Sequence, residues 1–170
     1  HTIVRTDTGP IPFQEYFVRR KYRPIVRGFE FEGADMAKLH PSVVAALQAA
    51  DLIAVVICPS NPYVSIAPIL ALGGVEEWLR STHAPVIAIS PIVGGVALKG
   101  PAAKMMAELG EIPAAETVAS AYSRFLDGFV LDLTDAAESD AIQSRGLRVL
   151  NTDTVMDTRA DQARLAAEIM

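Results

Sequence analysis

Four places along the chain put small polar or acidic side chains directly after a short apolar run. The first is Cys58-Pro59-Ser60-Asn61-Pro62-Tyr63-Val64-Ser65. The second is Ser90-Pro91-Ile92-Val93-Gly94-Gly95, followed by Lys99-Gly100-Pro101. The third offers Asp132 and Asp135, and the fourth Asn151-Thr152-Asp153-Thr154 and then Asp157. Hydroxyls, an amide, flexible glycine backbone and a lysine are the groups that hold an anion. Pro59 and Pro62 stiffen the first loop, and Ser60, Asn61 and Ser65 can donate hydrogen bonds. A helix expected to begin near Val64 would turn its free N–H groups and positive dipole end toward that anion. Ser60 or Asn61 would serve equally as the cap of that helix. Gly94 and Gly95 permit close backbone approach, and Lys99 could meet a phosphate as a point charge. The glycine pair also reads as an ordinary turn. Asp132, Asp135, Asp153 and Asp157 could bind a divalent cation through carboxylate oxygens, or simply cap helices and turns.

Several chemistries are absent. The P-loop pattern GxxxxGKS or GxxxxGKT does not occur, nor do HExxH, GxSxG or a His/Cys cluster. His40 precedes Pro41 in a loop, and His83 follows Arg80-Ser81-Thr82 at a helix end or on the surface. The main concentration of positive charge is Arg19, Arg20, Lys21, Arg23 and Arg27, interleaved with Phe13, Tyr16, Phe17 and Tyr22. It could grip a polyanion, stack on a flat ring, or form a solvated helix face with an aromatic underside.

The elements that must position these residues alternate in type. Leu52–Ile57, Val86–Ile89, Phe129–Leu131 and Leu147–Leu150 are brief, mostly rich in β-branched residues and bounded by Pro, Gly, Asp or Asn, so they read as strands. The first two are apolar on both faces, as in a covered parallel sheet. Helical spacing appears at Val43, Val44 and Leu47, and at Ala102, Met105, Met106 and Leu109. It recurs at Val118, Ala121, Tyr122 and Phe125, and more weakly at Gln162, Leu165, Ala166 and Ile169. Ser42 and Thr134 are candidate starts, and Gly110 and Gly146 candidate stops. Strand alternating with helix predicts a Rossmann-like α/β three-layer sandwich with a mostly parallel sheet, over residues 36–170. Residues 1–35 differ. Thr2–Thr6 and Val26–Gly33 read as strands and Ile11–Lys21 as a short helix, together a small α+β edge or flap. In open parallel sheets ligands bind beyond the carboxyl ends of the strands, where all four polar loops fall.

Composition sets the outer bounds. The chain has 170 residues, room for one α/β domain, with 51% hydrophobic and 21% charged residues. Mean hydropathy is +0.28, enough for a sizeable core. A net charge of −5 argues against a broad nucleic-acid-binding face. The apolar runs stop well short of a membrane span. The single Cys58 excludes an internal disulfide and points to a reduced, cytoplasmic setting. A chain that opens on His1 is expected to be a piece of a longer one.

Three ordered sets of residues carry a family resemblance. They are Phe13-Gln14-Glu15-Tyr16-Phe17-Val18-Arg19; Pro59-Ser60-Asn61-Pro62 with Ser65-Ile66 and Pro68-Ile69-Leu70-Ala71; and Ser90-Pro91-Ile92-Val93-Gly94-Gly95 with Lys99-Gly100-Pro101. Together they resemble the 2-phospho-L-lactate transferase family of coenzyme F420 biosynthesis. The tail, Gly146-Leu147-Arg148-Val149-Leu150 with Thr152-Asp153-Thr154-Val155-Met156, is similar to that family's too. The resemblance implies transfer of a phospholactyl or phosphoenolpyruvyl group from a guanosine-diphosphate-activated donor to the deazaflavin Fo, releasing GMP with Mg²⁺ assistance. It implies that Ser60, Asn61, Pro62, Ser65, Ser90, Gly94, Gly95 and Lys99 contact the donor. The apolar excess leaves room for a large hydrophobic interface, with the missing half or with a second copy, and a homodimer is expected. Family members are about twice this length, and the part that resembles them is their carboxy-terminal half. The Mg²⁺ ligands are therefore expected mainly outside this chain, which by itself is expected to be inactive. The competing class is a nucleotide-sugar-binding regulator of the same fold, using the same loops without transfer.

Overall fold

The computed structural model describes residues 1–170. The chain begins with a small antiparallel sheet in which β1 (Thr2–Thr6) pairs with both β2 (Gly9–Pro12) and β3 (Val26–Phe31). The helix expected over Ile11–Lys21 is shorter and of another kind. Ile11 and Pro12 complete β2; Phe13 and Gln14 open a short helix that continues over Glu15–Arg19 as a π turn. Pairing with β1 claims the residues at the start of the run.

The rest of the chain builds α1 (Pro41–Leu47), β4 (Val55–Ile57), a π turn over Pro62–Ile66, α2 (Ala67–Leu70) and α3 (Val75–Ser81). It continues with β5 (Val86–Ile89), a hairpin of β6 (Ile92–Val93) and β7 (Val96–Ala97), α4 (Ala102–Glu108) and α5 (Ala115–Tyr122). The last elements are β8 (Gly128–Asp132), a 3₁₀ turn over Leu133–Glu138, α6 (Ser139–Gln143), β9 (Arg148–Thr152) and α7 (Arg159–Ile169). Four strands form one sheet in the order β4-β5-β8-β9, all parallel, as the alternating pattern predicts. The likeness to Rossmann-type α/β architecture is therefore real, with the antiparallel strands as an addition.

Strand alternation explains the layers. Val86, Ala88, Phe129 and Leu131 point to one face, into a core closed by Val75 and Leu79 of α3, Met106 of α4, Val118 and Tyr122 of α5 and Ile142 of α6. Ile89 and Val130 point to the other face and meet Leu165 of α7. The small sheet buries Val4, Ile11, Tyr16 and Val26 against Met105. Consecutive methionines of α4 thus serve two cores.

Several boundaries differ from expectation. The strand read over Leu52–Ile57 starts only at Val55, because Leu52 N–H closes a turn on the Ala49 carbonyl at 3.2 Å. The strand read over Leu147–Leu150 runs from Arg148 to Thr152, since Leu131 and Asp132 of the longer β8 offer partners to Asn151 and Thr152. Strand β4 is apolar on both faces yet lies at the sheet edge, and Val56 is 39% exposed. The cap of α1 is His40, not Ser42, with Pro41 at the first helical position. The cap before Leu133 is Asp132, and Thr134 donates to it. Gly110 and Gly146 follow α4 and α6 at φ 82° and 85°, as stop residues do.

Candidate functional site

A crevice of about 330 Å³ opens at the carboxyl ends of β4, β5 and β9. Pro59, Ser60 and Asn61 line it from the loop after β4, and Ser90 and Pro91 from the loop after β5. Leu98, Lys99 and Ala102 enter from the passage between β7 and α4. Thr154, Val155, Met156 and Asp157 close it after β9. The sheet thus brings Ser60, Asn61, Ser90 and Lys99 together. Pro62, Ser65, Gly94 and Gly95 lie outside the crevice wall.

Each of these groups has a definite local duty. The Asn61 carboxamide oxygen accepts from the N–H groups of Tyr63 at 2.9 Å and Val64 at 3.2 Å, which makes Asn61 the cap of the π turn. Its amide nitrogen donates to Met105 Sδ at 3.3 Å, tying the loop to α4. Pro62 is buried at the first position of that turn, where a missing N–H is harmless. Ser65 faces solvent. Ser90 is 2% exposed; its hydroxyl donates to the Ile92 carbonyl at 2.8 Å and accepts from the Ile92 N–H at 3.1 Å. Gly94 and Gly95 form the two-residue turn of the β6–β7 hairpin, with φ of 58° and 77°. Positive φ at both positions is what such a turn demands, so glycine is needed there for backbone reasons. The Gly94 N–H donates to both Asp135 oxygens, at 2.9 and 3.1 Å.

Free binding capacity therefore concentrates on few groups. The Ser60 hydroxyl has no partner within the chain, and Lys99 is exposed with no carboxylate beside it. Asp157 is the acidic side chain in the wall. Tyr63, just behind the first loop, stacks on Phe29 with ring centroids 5.4 Å apart and donates its hydroxyl to Glu111. Burial, then that hydrogen bond, pushes its phenol far above the ordinary range.

The aspartates brace the site. Asp132 accepts from the Thr134 N–H at 2.9 Å, the Thr154 N–H at 2.9 Å and the Thr154 hydroxyl at 3.2 Å. Burial disfavours its charge, but these hydrogen bonds outweigh burial and hold its carboxyl below the usual range. Burial raises Asp135 despite the Gly94 bond. Asp153 accepts from the Val155 N–H at 3.0 Å and sits 3.4 Å from Arg164. No three acidic, His or Cys groups gather to hold a metal ion. By itself this donor set does not fit Mg²⁺. With a lysine, a free hydroxyl and no nucleophile–base pair, the crevice can hold an anionic substrate and orient it for transfer to a second one.

Leu98, Ala102, Val155 and Met156 were missed as wall residues in the sequence. Val155 and Met156 stand in the tail that carries the family resemblance. Leu98 and Ala102 reach the wall only through the hairpin.

Comparison with known proteins bears on the family and the fold. Residues 1–169 match the family model described as 2-phospho-L-lactate transferase CofD. A 2-phospho-L-lactate transferase of Methanopyrus kandleri is 38% identical over 99% of this chain and 53% of its own length. A phosphoenolpyruvate transferase of Streptomyces griseus is 37% identical over 99% of this chain and 54% of its own length. The chain thus spans about half the length of the curated relatives it matches, their carboxy-terminal half. Among solved structures, a UPF0052-family protein of Bacillus halodurans superposes with a TM-score of 0.56 over 96% of this chain and 57% of its own, at 13% identity. That likeness concerns the fold alone. No helix is long and apolar enough to cross a membrane.

Proposed function

Because the chain belongs to the 2-phospho-L-lactate transferase family, we propose that its strand-end crevice forms part of the active site of a phospho-group transferase. The donor is a guanosine-diphosphate-activated lactate or phosphoenolpyruvate-derived acid, the acceptor is the deazaflavin Fo, and GMP leaves. The reading rests on one observation: the free cation Lys99 and the free hydroxyl of Ser60 converge beyond the ends of neighbouring parallel strands. Transfer of a phosphorylated acid needs positioning and charge neutralisation more than a protein nucleophile. Lys99 supplies charge, Ser60 a donor, and the Asn61 cap fixes the loop that presents Ser60. Mg²⁺ assists the transfer, with its ligands mainly outside this chain. The setting is cytoplasmic and the assembly a homodimer.

Steady-state transfer from the activated donor to Fo, in a protein of the relatives' full length, tests this reading. Lys99→Ala is expected to lower kcat/KM by about tenfold or more, the worth of a charge-assisted contact. An unchanged kcat/KM would remove Lys99 and the crevice from the reaction. Guanosine diphosphate binding without any transfer would favour the regulator instead.

A further inference from the structure

A second cleft, of about 520 Å³, lies in the small antiparallel subdomain and shares no residue with the crevice. Arg19, Arg20, Lys21 and Arg23 line it, with Asp7 and Thr8 opposite. We propose that this cleft binds a small, multiply charged phosphate anion of the pyrophosphate class.

Charge is the first support. A chain of net charge −5 gathers four cations around one turn. Only Arg20 has a carboxylate partner, Glu15 at 2.7 Å; Arg19, Lys21 and Arg23 have none. The opposing Asp7 already accepts the Ile25 N–H at 3.0 Å.

Backbone geometry is the second. Lys21 and Tyr22 are both left-handed, at φ 49° and 45°, a conformation that side-chain-bearing residues adopt only when held. It is held from both sides. Tyr22 N–H donates to the Tyr16 carbonyl at 2.9 Å, and Arg23 N–H to the Arg20 carbonyl at 3.1 Å. Tyr16, wholly buried, anchors the turn from beneath. Across the turn, Lys104 Nζ donates to the Pro24 carbonyl at 3.1 Å, and Glu108 accepts the Val26 N–H at 2.9 Å. A rigid cationic turn keeps its charges close together, where flexible ones would spread apart.

The lining decides the ligand class. No hydrophobic residue lines the cleft. Phe13, Phe17 and Tyr22 pack on one another, at centroid distances of 5.5 and 5.8 Å. None of these rings lines the cleft, so the ligand there is recognised by its charge. Guanidinium forks match phosphate oxygens in pairs, and adjacent phosphates match adjacent forks.

Calorimetric titration of the 170-residue chain with inorganic pyrophosphate tests the site. Saturable binding at the cleft is expected, apart from any at the crevice. Arg23→Gln and Lys21→Gln should each weaken it by about tenfold, with unchanged circular dichroism. Lys99→Ala should leave it intact. In amide NMR spectra pyrophosphate should shift residues 19–23. No saturable binding would overturn the proposal. So would equal loss in Lys99→Ala, or shifts confined to the crevice. If Arg23→Gln misfolds, Lys21→Gln alone decides, and wild-type affinity in it counts against the site.

Discussion

Asp132 is 6% exposed and accepts three hydrogen bonds, two of them from Thr154 in the crevice wall. It touches no free space of the site and acts by holding the segment after β9. Asp132→Asn keeps the shape and loses the charge, and should cost about 2 kcal/mol in urea unfolding. The pH dependence has a definite sign. The folded carboxyl lies below its ordinary 3.8, so its stabilisation is complete above that value and fades as pH falls through the lower folded one. Asp135 is raised, so its ionised form weighs against folding as pH rises through its window above 3.8. Melting temperatures followed below about pH 4 should therefore fall less steeply for Asp132→Asn than for wild type. Parallel curves would show that Asp132 carries no such charge-dependent stability.

At the scale of elements, α4 is the joint. Met105 packs into the small sheet's core and Met106 into the main one. Met105 also receives the Asn61 amide. Met105→Ala opens a cavity and should cost about 3 kcal/mol by chemical denaturation, whereas Met105→Leu should cost under about 1.5. A loss near zero for the alanine would mean that the subdomain holds without α4. The spacing of Ala102, Met105, Met106 and Leu109 foretold this helix, but not that its neighbours on one face divide between two cores. Helical period reports that a face is apolar; it does not say what lies against it.

For the whole molecule, the open edge of the parallel sheet matters most. Strand β4 has no neighbour on one side, and beside it runs an apolar groove of about 370 Å³ that includes Leu47, Val56, Ile69 and Trp78. Unpaired strand edges with exposed apolar side chains promote self-association. Light scattering of the 170-residue chain should show mass rising with concentration, and Val56→Lys should suppress the rise while leaving the circular dichroism unchanged. A monomer at every concentration would remove the edge as an association site.

Local pattern alone determined much of the framework. Thr2–Thr6 and Val86–Ile89 form strands with the expected bounds. Their β-branched runs and flanking breakers act within a few residues, where sequence is directly legible. The strand-end loops, and the family to which they belong, were legible for the same reason. Which groups in those loops remain free was decided only by the tertiary structure. The Gly94 N–H is claimed by Asp135, 41 residues away, and Asn61 is bound to Met105, 44 residues away. Ser90 turns its hydroxyl inward on Ile92 once burial removes water as a partner. Hydrogen-bond satisfaction is settled among whichever groups packing brings together, and spacing along the chain holds no record of that meeting.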